Sequence, residues 1–424
     1  MPGGAFVGLY MARVLIVSPF VTHPVDRGSS RRIRTLAASI GSLGYEVHFA
    51  LAPNWELPKG GLDEMNRHWK DKLHVLTHRF PCTFFGWRRR QLCDALTPLL
   101  ERLLCVGESR FKHTDADGIY HRWWNIQLYR LQRVYRFNAV VVEYVFYSQA
   151  LSVFGDGVVK LIDSHDVFAD RQKRVEREGA GQVWWSTDPD SEAAALQRAD
   201  AVIAIQRDEA ADIRQRVKCP VVCIPHLQAV AANADSGPDA DVILTVGSPN
   251  CVNERGIKWF VEQVLPLVII KRPKATLWVV GSVCEKLVDW AKGVTHVELI
   301  GPVGRLEEPY NNADVIINPV QFGTGLAIKS VEAMAYGKAL VTTPAGARGL
   351  PESDGAYVVS ESATSMASAI VSLLSSAAMR EEMGTASLKL IDALNKNTMS
   401  TLAKLLSQLE AKGTPDPIPA SDRH

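Results

Sequence analysis

Thirteen apolar, β-branched runs recur along the chain, and helical patterns separate most of them. In the first half they are RVLIVSP (13–19), EVHFALA (46–52), LHVLTHRF (73–80), AVVVEYV (139–145), VVKLIDS (158–164), AVIAI (201–205) and VVCIP (221–225). The second half supplies VILTVG (242–247), ATLWVVGS (275–282), VELIGPV (297–303), DVIINPV (314–320), ALVTTP (339–344) and AYVVS (356–360). A strand that is apolar at nearly every position is buried on both faces, so this alternation predicts parallel sheets covered by helices.

The segment QAVAANADSGPDAD (228–241) is rich in Ala, Asp, Asn, Gly and Pro and has no apolar period, so it reads as a linker. The chain then divides into a domain over 1–227, the linker, and a second domain over 242–400. A last helix, TLAKLLSQLEAK (401–412), precedes a Pro-rich tail ending at 424 that is expected to be disordered. Each half is a doubly wound, Rossmann-like α/β domain. Such domains bind ligands at the carboxyl ends of their strands, and two of them facing each other share a cleft.

Composition narrows the function. With 424 residues and a net charge of +1, the molecule is no polycation, and no nucleic-acid partner is expected. The start lacks a basic segment before its apolar residues, so no signal peptide is expected, and residues 1–12 read as an extension. The seven cysteines form no CxxC, which fits reduced thiols and a cytoplasmic location rather than a metal site. Residues 79–137 stand apart, with eleven Arg or Lys against five Asp or Glu and eleven aromatic residues. They are either a solvated insertion with aromatic anchors or a face that rests peripherally on an anionic membrane, on its inner side.

Phosphate-binding logic appears twice. After the first strand, Gly28 opens a helix carrying Arg31, Arg32 and Arg34, and a helix N-terminus attracts anions; many strand-to-helix turns look alike, however. After DVIINPV, Gly323 and Gly325 flank Thr324 at the expected start of a helix running through IKSVEAMAYG. At 100° per residue, Ile328, Val331, Met334 and Ala335 share one arc, and Lys329, Glu332 and Tyr336 another. Lys329 and Glu332 are either a plain surface ion pair or two arms of one site, with Lys329 toward a phosphate and Glu332 toward a diol such as ribose.

The run VELIGPVGRLEEPYNNADVIINPVQFGTGLAIKSVEAMAYGKALVTTPAGARGL (297–350) resembles the donor half of a family 4 glycosyltransferase of GT-B fold, in its GTG…K…EAMA branch. The resemblance implies retaining transfer of a hexosyl group from a nucleotide diphosphate sugar to a hydroxyl, and the basic, aromatic insertion suggests a setting in envelope or extracellular glycan assembly. N–H donors and cations can stabilise a departing diphosphate in place of a metal, so no cofactor and no metal are expected, and the basic, aromatic insertion points to a glycan or lipid-linked acceptor. Residue by residue, the resemblance assigns Glu332 to the ribose, Lys329 and the loop 323–325 to the diphosphate, and His165 to the donor sugar. Catalytic roles are therefore expected for His165, Lys329 and Glu332. Ser248 and Arg255 stand where the family grips the diphosphate, and Val303 lies near the base. On the acceptor side, Glu143 ends its strand near the cleft, and Asp166 is the expected orienter of His165. The usual pattern has a Glu eight positions before Glu332, where this chain has Thr324. A nucleotide-sugar epimerase or hydrolase, or a non-catalytic nucleotide-sugar-binding protein, shares the architecture.

Overall fold

A computed structural model of the chain describes residues 11–24, 28–55, 57–58, 60–77, 115–177, 183, 185–230, 239–323, 326–352 and 355–410. Residues 1–10 of the N-terminal extension, residues 79–114 of the basic insertion, most of the linker, the tail, Thr324 and Gly325 lie outside them.

All thirteen expected strands form. In the first domain they are β1 (Arg13–Ser18), β2 (Glu46–Leu51), β3 (Leu73–Val75), β4 (Ala139–Glu143), β5 (Val159–Asp163), β6 (Ala201–Ala204) and β7 (Val221–Cys223). In the second they are β8 (Val242–Val246), β9 (Thr276–Val280), β10 (Val297–Gly301), β11 (Val315–Asn318), β12 (Ala339–Thr342) and β13 (Val358–Val359). The first sheet has the order β3-β2-β1-β4-β5-β6-β7 and the second β10-β9-β8-β11-β12-β13, parallel throughout. Strand order therefore reverses at β1/β4 and at β8/β11, and the carboxyl ends beside those reversals are where a crevice opens.

The continuous apolar runs are explained by two-sided burial. Val14 and Ile16 enter one core layer and Leu15 and Val17 the other. Ile243, Val315 and Ile317 likewise face one layer of the second sheet, and Leu244 and Ile316 the opposite one.

The last helix differs from the expectation of a separate element over 401–412. One helix runs from Ala377 to Glu410, 34 residues long. Met383 and Ile391 pack in the cores of the second domain, whereas Leu402, Leu405 and Leu406 join the core of the first. Apolar positions spread over different sides of one long helix dilute its amphipathic period, which hid its true start. Among the described residues, no helix is long and apolar enough to cross a membrane.

Candidate active site

The carboxyl ends of β4 and β5 carry a buried polar cluster. Glu143 ends β4 and Asp163 ends β5, and neither is exposed at all. Just beyond each strand the backbone turns through a left-handed residue, Tyr144 at φ 73° and His165 at φ 60°. Such conformations cost of order 1–3 kcal/mol in non-glycine residues and concentrate at functional sites. The two rings stack, 3.9 Å apart and nearly parallel at 9°. His165 Nε2 lies 2.6 Å from Glu143 Oε2 and 3.6 Å from Asp163 Oδ2.

Asp163 accepts two hydrogen bonds from the buried guanidinium of Arg32, at 2.9 Å from Nε and 3.2 Å from Nη2. A third Arg32 donor reaches the Pro225 carbonyl at 2.7 Å. These environments separate the two carboxyls. Burial pushes Glu143 up to about 7, with the Asp163 charge adding to it against the His165 hydrogen bond. Burial also opposes ionisation of Asp163, but the charges of Arg32 and His165 override it and hold this carboxyl below its ordinary range. One proton-holding and one ionised carboxyl thus flank the same imidazole.

The expected pairing of His165 with Asp166 does not occur. The turn after β5 sends the two side chains apart. Asp166 accepts from its neighbour's backbone, Val167 N–H at 2.9 Å, and pairs with Arg171 at 3.3 Å. Glu143, from a different strand, orients His165 instead.

In the second domain the helix begins at Ile328, five residues later than the glycine loop suggested. Gly323 has φ 138°, a conformation that favours glycine, and its carbonyl accepts a hydrogen bond from Arg348. The helix Cys251–Trp259 presses against this loop. A Cβ on Gly256 would stand 2.8 Å from the Pro319 carbonyl oxygen, so only glycine fits there. Arg255 is exposed, with its guanidinium over the Phe322 ring at 5.0 Å.

Lys329 donates to Asn253 Oδ1, and the amide nitrogen of Asn253 donates to the Ser248 carbonyl at 2.9 Å. Ser248, Asn253 and Lys329 are thus one chain of contacts at the carboxyl end of β8. Asn253 was missed in the sequence; its one local signal is Asn250, whose side chain caps this helix on the Asn253 N–H at 2.9 Å. Burial pulls the Lys329 amine down to about 8, against the attraction of Glu332.

Glu332 does not pair with Lys329. Its carboxylate binds Arg31, which comes from the first domain's Gly28–Ser42 helix. Burial raises the Glu332 carboxyl, against the opposing pull of Arg31. Its second oxygen, Oε2, is buried without a hydrogen-bond partner. The two helix starts also touch: a Cβ on Gly28 would meet Ile328 Cδ1 at 3.4 Å, an ordinary contact. Gly28 therefore approaches the opposing helix rather than being required by its own backbone.

Between the domains lies a cleft of about 1020 Å³, lined among others by Arg31, Arg34, Gln228, Val303, Glu332 and Tyr336. Two neighbouring arginines join the parts of the site. Arg31 reaches across the cleft to Glu332, and Arg32 holds Asp163 beside His165.

Residues 240–376 match the family described as glycosyl transferases group 1. That match contains Ser248, Asn253, Arg255, Val303, Gly323, Lys329 and Glu332; Gly28, Glu143, His165 and Asp166 precede it. No curated protein matches the chain. Among solved structures, the chain is similar to a sucrose-phosphate synthase from Thermosynechococcus elongatus at 17% identity and TM-score 0.64, covering 94% of this chain and 99% of that one. It is similar to the pneumococcal O-GlcNAc transferase GtfA, solved with UDP and GlcNAc, at 10% identity and TM-score 0.63, covering 94% and 99%. Anabaena HepE, solved with UDP and glucose, gives 12% identity and TM-score 0.59, covering 93% and 99%. At these identities the likeness shows the fold, which is GT-B: two Rossmann-like domains facing across a cleft.

Proposed function

We propose that the chain is a retaining, metal-independent glycosyltransferase of the family 4 type, moving a hexosyl group from a nucleotide diphosphate sugar to an acceptor hydroxyl. The observation that carries this reading is the placement of Lys329 and Glu332. They stand on the first turns of one helix, inside the stretch that matches the group 1 glycosyl transferases; Glu332 lines the interdomain cleft and Lys329 reaches Asn253 at the carboxyl end of β8.

In this reading Glu332 holds the ribose diol, for which its unpartnered oxygen is available. Lys329, the loop from Gly323 and the exposed Arg255 neutralise the departing diphosphate, a role that fixed donors and cations perform without a metal. Thr324 and Gly325 complete that loop in the sequence reading. The one cluster among the described residues that could hold a metal ion supports the same view. Glu143, Asp163 and His165 place one ligand atom each within 4.8 Å, but a guanidinium occupies Asp163 and the other two bind each other. His165, locked by Tyr144 and Glu143, faces the donor sugar. Ser248 and Val303 lie along the nucleotide, and Asp166 keeps only a structural part through Arg171. The acceptor is a glycan or a lipid-linked sugar of envelope assembly, met by a cytoplasmic protein at the membrane's inner face.

The test is incubation with UDP-sugars, each with and without an acceptor, read by mass spectrometry and NMR. UDP is the nucleotide bound to the GT-B proteins GtfA and HepE. The expected result is glycosylated acceptor with the donor's anomeric configuration. An isomerised sugar without acceptor assigns an epimerase, free sugar alone a hydrolase, and binding without turnover a nucleotide-sugar-binding protein.

A further inference from the structure

The helix Trp123–Tyr135 has two faces, and only one of them is explained by the fold. At 100° per residue, Trp124, Leu128, Leu131 and Tyr135 fall within about 60° of one another. All four pack in or against the first domain's core. On the opposite side, Ile126, Tyr129, Arg130, Arg133 and Val134 share an arc of about 140°. That arc is exposed: Val134 at 71%, Tyr129 at 53% and Ile126 at 43% of their surface.

The charge on this face is of one sign. Arg122 and Arg136 flank the helix, Arg130 and Arg133 lie on it, and all four are exposed. No Asp or Glu occurs between Asp117 and Glu143. Among the described residues, none of the four arginines forms an ion pair. Helix stability explains only part of this charge: Arg133 in the last turn and Arg136 at the C-cap suit the negative end of the helix dipole, but Arg122 sits at its positive end, and the positions four away from Arg130 and Arg133 are apolar or aromatic and offer no ion pair. Unpaired arginines interleaved with an exposed Ile, Tyr and Val match the chemistry of a bilayer interface. There the apolar groups enter the headgroup boundary and the cations meet anionic lipid.

We propose that the outer face of the Trp123–Tyr135 helix docks the first domain on an anionic lipid bilayer. The placement suits the site. The helix leads into β4 through Phe137, while the Trp124 ring lies 5.4 Å from that of Tyr147, beyond the carboxyl end of β4. Its N-terminal end is therefore at the same end of the sheet as Glu143 and His165. A bilayer on this face lies beside the cleft rim, where a lipid-linked acceptor of the proposed reaction would arrive; that last step alone rests on the functional reading.

The experiment is flotation of the full chain with vesicles of phosphatidylglycerol and phosphatidylcholine, and with phosphatidylcholine alone, for the wild type, Arg130→Glu/Arg133→Glu and Tyr129→Ser/Val134→Ser. All four substituted side chains are exposed, so both variants fold, as thermal melts would verify. Expected are binding to the anionic vesicles only, its loss with added salt, and a fall of at least about tenfold in the charge-reversed variant with a smaller fall in the other. Equal binding by wild type and the charge-reversed variant, binding to phosphatidylcholine alone, or no binding to anionic vesicles overturns the proposal. A wild-type dimer that the substitutions dissociate would assign the face to a second copy and likewise overturn it. No nucleotide enters the assay, so its outcome is independent of whether sugar transfer is found.

Discussion

Arg31 and Glu332 lie 301 residues apart in sequence and form an ion pair across the cleft between the two domains. Glu332 is nearly buried, with 4% of its side chain exposed, against 23% for Arg31. The guanidinium thus sits at the carboxylate that the proposed mechanism assigns to the ribose. A nucleotide must share Glu332 with Arg31 or displace it, and the pair reports directly on how the two domains meet.

Glu332→Gln is expected to weaken UDP binding by roughly tenfold, the value of one hydrogen bond to a charged acceptor. Calorimetric titration measures it. Unchanged affinity would remove Glu332 from the ribose.

Lys329 makes binding depend on pH. Its amine, pulled down to about 8 by burial, is partly neutral in the free protein at and above that pH. A bound diphosphate favours the charged form, so binding takes up a proton between the free and bound pKa values. UDP affinity should therefore fall as pH rises from 7 through 9. Calorimetry at pH 8.5 in buffers of different ionisation enthalpy should show proton uptake in the wild type and none in Lys329→Ala. The same variant should lose turnover while keeping its melting temperature within a few degrees.

Glu143 gives a pH dependence of stability. Its folded pKa of about 7 lies above the ordinary carboxylate value, so the folded state holds this proton more tightly than the unfolded chain. The contribution is full at low pH and is lost as pH rises from about 4.5 through 7. Glu143→Gln, which mimics the neutral acid, should gain stability relative to wild type over that window, by about 1–3 kcal/mol. Urea unfolding at pH 5 and pH 8 measures the difference; a gap that shrinks at pH 8 contradicts the assignment.

A glycine in the long C-terminal helix supports the helix that carries Glu332. A Cβ on Gly384 would stand 2.1 Å from the Gly337 carbonyl oxygen, just beyond the helix that carries Glu332. Intrinsic propensity favours Ala over Gly in a helix by about 1 kcal/mol. Here the clash is with backbone and cannot relax through a side chain, so Gly384→Ala should destabilise by about 2 kcal/mol in chemical unfolding.

The strands were legible because burial on both faces leaves an unbroken apolar run, as in Val14–Val17. The donor-side helix was legible from its period, and Lys329 and Glu332 from their shared arc. What escaped reading depends on contacts that only the assembled fold creates. Glu332 takes its partner from the other domain, which no helical spacing can indicate. His165 is held by Glu143 from the next strand, whereas its sequence neighbour Asp166 turns toward Arg171. Asn253 acts only because the Cys251–Trp259 helix abuts the loop at Pro319, an approach that Gly256 permits. The helix start was misplaced because a glycine loop signals a turn without saying how many residues it spans before the first helical hydrogen bond.

Thermal stability of the wild type and of Lys329→Ala/Glu332→Gln across a panel of nucleotide diphosphate sugars tests the central claim most directly, because a true donor stabilises the native state by mass action. The account predicts a rise in melting temperature of the wild type with at least one donor and its loss in the double variant. No rise with any donor, or a rise of equal size in the double variant, would contradict a donor site at Lys329 and Glu332.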